Sequence, residues 1–163
     1  MQNNEIKFGT DGWRGIIGDN YTYKNLKILS QAVADYIGSG KTVAVGYDTR
    51  FMSGRFAETV AKVFAANQIK VVLSSGAIPT PTLSFAVKNR RLDLGIMITA
   101  SHNPPEYNGF KIKVSSGGAA GPEVTKEVEA RLGLSEVKSS ASESQFILRE
   151  DLITDYVKFI RNY

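Results

Sequence analysis

The chain has 163 residues, 42 % of them hydrophobic, the size and apolar content of one compact domain with a single core. It has no cysteine, which excludes disulfides, thiolate metal sites and a cysteine nucleophile, and its net charge of +4 is too mild to single out nucleic acid as a partner. No apolar run reaches the ~18 residues of a membrane span, and the opening MQNNEIKF lacks the apolar stretch of a secretion signal, so a cytoplasmic protein without membrane contact is expected.

The Gly-rich segment FGTDGWRG (8–15) reads as a loop, and residues 23–37 as a helix with Leu26, Leu29, Val33, Tyr36 and Ile37 at helical spacing. TVAVGY (42–47) is a β-branched strand that stops at Asp48-Thr49-Arg50, after which Ser53 opens a helix with Phe56, Val60, Val63 and Phe64 on one face. The order then repeats. KVVLSS (70–75) is a strand, GAIPT (76–80) a loop, and Pro81 occupies a first-turn position ahead of Leu83, Ala86 and Val87. LGIMITA (94–100) is a third strand, leading into SHNPP.

In 98–112, ITASHNPPEYNGFKI, the pair Asn108-Gly109 is a turn signal expected to swing Lys111 back toward Ser101, and GFKIKV (109–114) reads as a fourth strand at an antiparallel edge. SSGGAAGP follows as a loop, then a helix carrying Val124, Val128 and Leu132. The stretch 135–145 is polar and reads as mobile. The last residues carry an apolar stripe of Leu152, Tyr156, Phe159, Ile160 and Tyr163 that reaches Tyr163 without a stop signal, so 150–163 is expected to be a terminal helix leading toward a second, missing domain.

Strands alternating with amphipathic helices indicate an α/β fold: a three-layer α/β/α domain spanning 1–163, with a mixed, mostly parallel four-stranded sheet and an antiparallel edge strand. In such a sheet the loops after the strands' carboxyl ends share one edge, where ligands bind. That edge would gather Arg50, Ser101 and His102, with Arg14 approaching from the N-terminal segment.

A serine hydrolase is excluded, because no G-x-S-x-G elbow is present and the histidine next to Ser101 in an extended segment points away from it. A dinucleotide site is excluded for want of a G-x-G-x-x-G opening a helix after a strand. Phosphoryl transfer suits the inventory: a serine hydroxyl at a loop end with cations such as Arg14 and Lys111 to hold phosphate oxygens. Taken singly, Ser101-His102 is also compatible with an ordinary solvated loop, Arg14 with a partner for Asp11, and Asp48 and Arg50 with a mutual pair or a helix cap. Lys88, Arg90 and Arg91 end a helix, where positive charge suits the dipole, and read as a solvated helix end.

TASHNPPEYNGFKI resembles the phosphoserine loop of the α-D-phosphohexomutase superfamily, FGTDGWRG resembles its N-terminal motif, and VGYDTR its second loop. The resemblance covers essentially the whole chain but only the first of the family's four domains. It implies that Ser101 carries the phosphoryl group exchanged with a hexose monophosphate through a bisphosphate intermediate. His102 and Asn103 would shape the loop and contact phosphate, Lys111 would serve general acid or base work, and Arg14 would lie near the transferred phosphate. One phosphoryl oxygen on Ser101 would ligate Mg²⁺, whose other ligands, in a D-G-D-x-D-R loop, are not in this sequence. The remaining partners implied are a hexose phosphate, a hexose bisphosphate activator and domains 2–4, so the domain alone is expected to be inactive. YNGFK leans toward the phosphoglucomutase and phosphomannomutase branch over the phosphoglucosamine branch. The alternative is a non-catalytic α/β module that binds phosphate for regulation.

Overall fold

Local periodicity and observed elements coincide closely through the middle of the chain. The computed structural model describes residues 6–140 and 144–163, which form in order β1 (Trp13–Ile16), α1 (Tyr23–Ile37), β2 (Thr42–Tyr47), α2 (Ser53–Ala66), β3 (Lys70–Ser74), α3 (Thr80–Asn89), β4 (Leu94–Ile98), β5 (Tyr107–Val114), α4 (Pro122–Glu129), β6 (Ile147–Glu150) and α5 (Ile153–Arg161). Helix α1 starts where Thr22 Oγ1 accepts the Asn25 N–H and stops at Gly38, whose positive φ of 80° ends the helical path. Helix α2 begins at Ser53 as expected, although the serine hydroxyl is used elsewhere and no side chain caps the helix.

The sheet has six strands in the order β1-β5-β4-β2-β3-β6, not the four expected. Strand β2 runs parallel to both β3 and β4, and β3 parallel to β6, while β5 is antiparallel to β4 and to β1. The fold class stands, but β5 is not an edge, because Trp13–Ile16 pairs along its outer side. Both added strands have only four residues, and their pairing partners lie far away in sequence, so neither leaves a periodic local signal. Of the polar stretch read as mobile, residues 141–143 lie outside the described residues. Residues 135–140 form a strap tied down by the Lys138 N–H on Gln31 Oε1 at 3.0 Å.

Core residues alternate along the strands to serve both faces. Val43, Val45, Ile96, Ile98 and Phe110 pack with Leu26, Phe56 and Phe64 of α1 and α2; Ala44, Val72 and Met97 pack with Leu83 and Val87 of α3 and with Leu152. Burying each phenylalanine contributes about 1.5–3 kcal/mol. Trp13 stacks on Tyr21 at 4.8 Å between centroids, and Tyr21 Oη donates to the Gly109 carbonyl at 3.0 Å, which fastens β1 and the start of α1 to β5. Burial, and then the negative charge of Asp48, push the Tyr21 phenol well above its ordinary value, so it stays a donor.

Between them β2 and β4 set the position of the site. The chain steps from β2 to β3 on one side and then crosses back to β4 on the other, so the loops after β2 and β4 leave adjacent carboxyl ends in a crevice of the kind where open α/β sheets take ligands.

Candidate active site

Strand β4 ends at Ile98, and the turn that follows carries Ser101 in a left-handed conformation, φ 58°, unusual for a residue with a side chain. Two side chains hold it there. Thr99 Oγ1 accepts the Ser101 N–H at 3.0 Å and donates to Asp48 Oδ2 at 2.6 Å. The Arg50 guanidinium donates to the carbonyls of Ser101 (2.7 Å), Asn103 (2.6 Å), Pro104 (2.8 Å) and Tyr107 (3.1 Å), spanning the loop from end to end. A planar fork with five donors suits this grip.

Asp48 is the hub behind the loop. Besides Thr99 it accepts the Arg50 backbone N–H at 2.9 Å and the Ser53 hydroxyl at 2.7 Å, and Arg50 Nε lies 3.4 Å away. Ser53 Oγ in turn accepts from Asn108 Nδ2 at 2.9 Å. The DTR motif thus combines the mutual pair with a helix-start contact, and its larger task is to fix the loop across from it.

Replacing Arg50 by methionine is expected to leave the sheet intact and free residues 101–107. Each net hydrogen bond is worth about 0.5–1.5 kcal/mol, so amide hydrogen exchange at Ser101, Asn103 and Tyr107 should quicken about tenfold or more. Unchanged exchange would show that the loop holds its shape without the arginine.

Asn108-Gly109 is not a turn. Both lie within β5, paired with Gly15 and Arg14 of β1, and Gly109 does not adopt a positive φ. Glycine is required there by close approach: a Cβ would lie 2.5 Å from the Thr99 carbonyl oxygen and 2.9 Å from that of Trp13. The buried Asn108 amide satisfies the Gly109 N–H at 2.8 Å as well as Ser53. Lys111 is therefore aimed by strand register. It pairs with Met97 on β4, is 5 % exposed, and its Nζ lies 2.5 Å from Asp11 Oδ2. No hydrogen bond or ion pair joins it to Ser101 among the described residues.

The other expected residues do converge. Arg14 Nη1 donates to Asn103 Oδ1 at 2.6 Å, which ties the N-terminal segment to the loop. Arg14 and His102 line one cleft of about 480 Å³ with Lys7, Thr10 and Asp11. Ser101 and His102 are exposed. Asp11, a possible partner for Arg14 in the sequence, pairs with Lys111 and, at 3.9 Å, with Lys113. Sequence reasoning passed over Lys113 and Thr99; the K-I-K alternation, which puts both lysines on one face of a strand, was the readable sign of the first. Arg90 ends α3 by pairing with Glu150 and Asp155, which is structural. Among the described residues no three His, Cys, Asp or Glu side chains group to hold a metal ion. Among the described residues no helix is long and apolar enough to cross a membrane.

Residues 5–136 match the family model described as phosphoglucomutase/phosphomannomutase, alpha/beta/alpha domain I. A phosphoglucosamine mutase of Dictyoglomus turgidum is 41 % identical over 125 residues, covering 75 % of this chain and 28 % of its own length. A phosphoglucomutase of Staphylococcus aureus is 34 % identical over 173 residues, covering 97 % of this chain and 31 % of its own. The crystal structure of a phosphoglucomutase/phosphomannomutase family protein from Burkholderia thailandensis superimposes with a TM-score of 0.81 at 28 % identity, over 99 % of this chain and 36 % of that one. The chain thus spans about a third or less of the proteins it resembles, and relatives of both the phosphoglucosamine and phosphoglucose branches are among them.

Proposed function

The chain belongs to the phosphoglucomutase/phosphomannomutase family as its α/β/α domain I, and from that premise we propose that it is the phosphoryl-donor domain of a mutase interconverting hexose 1-phosphate and hexose 6-phosphate. The observation that carries the reading is Ser101: an exposed hydroxyl held at φ 58° by Arg50 and Thr99, in a loop that Arg14 ties to the cleft it lines with His102.

In this reading the Ser101 Oγ–phosphorus bond breaks, a phosphorus–oxygen bond forms to a sugar hydroxyl, and that hydroxyl's proton is exchanged for one that ends on Oγ. The bisphosphate so formed returns its other phosphoryl group by the reverse step. Arg14 and His102 contact phosphate oxygens, Asn103 fixes Arg14, and Lys111 offers acid or base assistance from the neighbouring strand. Phosphorylated Ser101 would offer one oxygen ligand to Mg²⁺, which would supply charge neutralisation at the phosphoryl group; its other ligands would belong to a second domain. The helix α5 leads toward those domains, and the exposed Ile153, Val157 and Ile160 on it suit such a neighbour. An absence of cysteine and phosphorylated sugars as substrates suit the cytoplasm.

Peptide mass mapping of the mutase carrying this domain tests the proposal. A phosphoryl group on Ser101, transferred to hexose monophosphate on mixing, is expected; phosphate found solely elsewhere, or bound without transfer as in a regulatory module, would sink it. Assayed alone with hexose 1-phosphate, bisphosphate and Mg²⁺, the 163-residue chain is expected to show no turnover, because nothing holds the sugar in line with the phosphorus.

A further inference from the structure

Lys111 and Lys113 project from one face of β5, since residues two apart on a strand share a face, and both are almost wholly buried. A buried ammonium is tolerated only with a partner. Among the described residues the carboxylate that reaches them is Asp11, 2.5 Å from Lys111 Nζ and 3.9 Å from Lys113 Nζ.

The sheet itself dictates where Asp11 stands. The next residue, Gly12, has φ +97°, and a Cβ on it would lie 2.7 Å from the Phe110 carbonyl oxygen and 2.9 Å from Lys111 Cγ. The Gly9 N–H closes the loop on the Gly12 carbonyl at 2.9 Å. This backbone is pressed onto β5 beside Lys111, which brings the Asp11 carboxylate within reach of the ammonium. The Asp11 side chain is 40 % exposed against 7 % for Lys111, and it is Asp11 that lines the cleft with Arg14 and His102. Burial alone would raise the Asp11 carboxyl. The hydrogen bond and charge of Lys111, with the charges of Lys113 and Arg14, outweigh it and hold the group below its ordinary value, ionised at neutral pH.

We propose that Asp11 is a positioning residue of this site, fixing the Lys111 ammonium directly behind the Asp11 side of the cleft where the phosphoryl group is exchanged, and that it acts on the reaction through Lys111. The proposal rests on the phosphoserine reading above. A carboxylate repels the phosphate it faces, so Asp11 is not itself a phosphate ligand. Its use is orientation: lysine carries its charge on a flexible stem with rotatable donors, and only a second, rigidly placed group fixes where that charge sits.

The test compares turnover of the mutase carrying this domain with that of its Asp11→Asn, Asp11→Glu, Lys111→Met and Asp11→Asn/Lys111→Met forms. Asp11→Asn is expected to lower kcat about 10- to 100-fold with KM changed less than about twofold, and Asp11→Glu to recover part of the loss. Once Lys111 is methionine, Asp11→Asn should cost nothing further. An equal loss in both backgrounds, or none in either, overturns the proposal. Nitrogen NMR of the lysine side chains in the 163-residue chain reads the pair without any turnover: a slowly exchanging Lys111 ammonium signal is expected that Asp11→Asn removes, and its persistence in that variant also overturns the proposal. A Lys111→Met enzyme as fast as the parent, with the NMR pair intact, locates the failure in the catalytic reading of the lysine and leaves Asp11 nothing to position.

Discussion

Replacing Ser101 by glycine is expected to abolish mutase turnover, with a loss on the order of 10⁴-fold or more, while leaving the domain folded. The size follows from the loss of the atom that carries the phosphoryl group, for which no neighbouring hydroxyl substitutes. Glycine is the informative replacement because Ser101 holds φ 58°, a conformation that glycine adopts without strain and alanine does not. The backbone partners survive the change: the residue 101 N–H can still reach Thr99 Oγ1, and its carbonyl can still accept from Arg50. Loss of activity with an unchanged melting temperature, and with no phosphoryl group recovered at position 101 by mass mapping, is the expected result. Turnover near the parent rate would move the phosphoryl group to another residue.

Lys111→Met should lower turnover by about 10²–10⁴-fold, the usual contribution of acid or base assistance. Its effect on folding should be far smaller, about 1 kcal/mol at neutral pH. Methionine fills the buried channel that the lysine stem occupies, and the group left behind, Asp11, is the partly exposed member of the pair, still near Lys113 and reachable by water. The direction of the pH dependence follows from Asp11. Its folded-state carboxyl lies below the ordinary 3.8, so its pairing stabilises the parent fully above that value and is lost as pH falls through the lowered one. The stability gap between parent and Lys111→Met should therefore close in strong acid, which chemical denaturation at a series of pH values would measure. Turnover equal to the parent's would make Lys111 a spectator.

These two residues show different degrees of legibility. Ser101 stands in an uninterrupted run of loop residues, and the end of LGIMITA marks a strand's carboxyl end, so its place could be read directly. Lys111 is expected to swing toward Ser101 through a turn that the fold does not contain. Asn108-Gly109 favours a tight turn when only its neighbours along the chain are considered. Here β1 pairs with its backbone on one side, Thr99 just past β4 donates to the Gly109 carbonyl on the other, and Gly109 serves close approach, not reversal.

By itself the sequence determined the helices and central strands, α1 at 23–37 and β2 at 42–47 among them, because apolar periodicity and caps act over a few residues and are written where they act. It also determined the composition of the loop that carries Ser101, and the family. Only the tertiary structure decided the two four-residue edge strands, the Arg50 grip on carbonyls 51 to 57 residues away, and the Asp11–Lys111 pair, 100 residues apart. Each of these exists because the sheet brings distant segments within hydrogen-bond reach. A pairing set by strand order and register has no local pattern from which to be read.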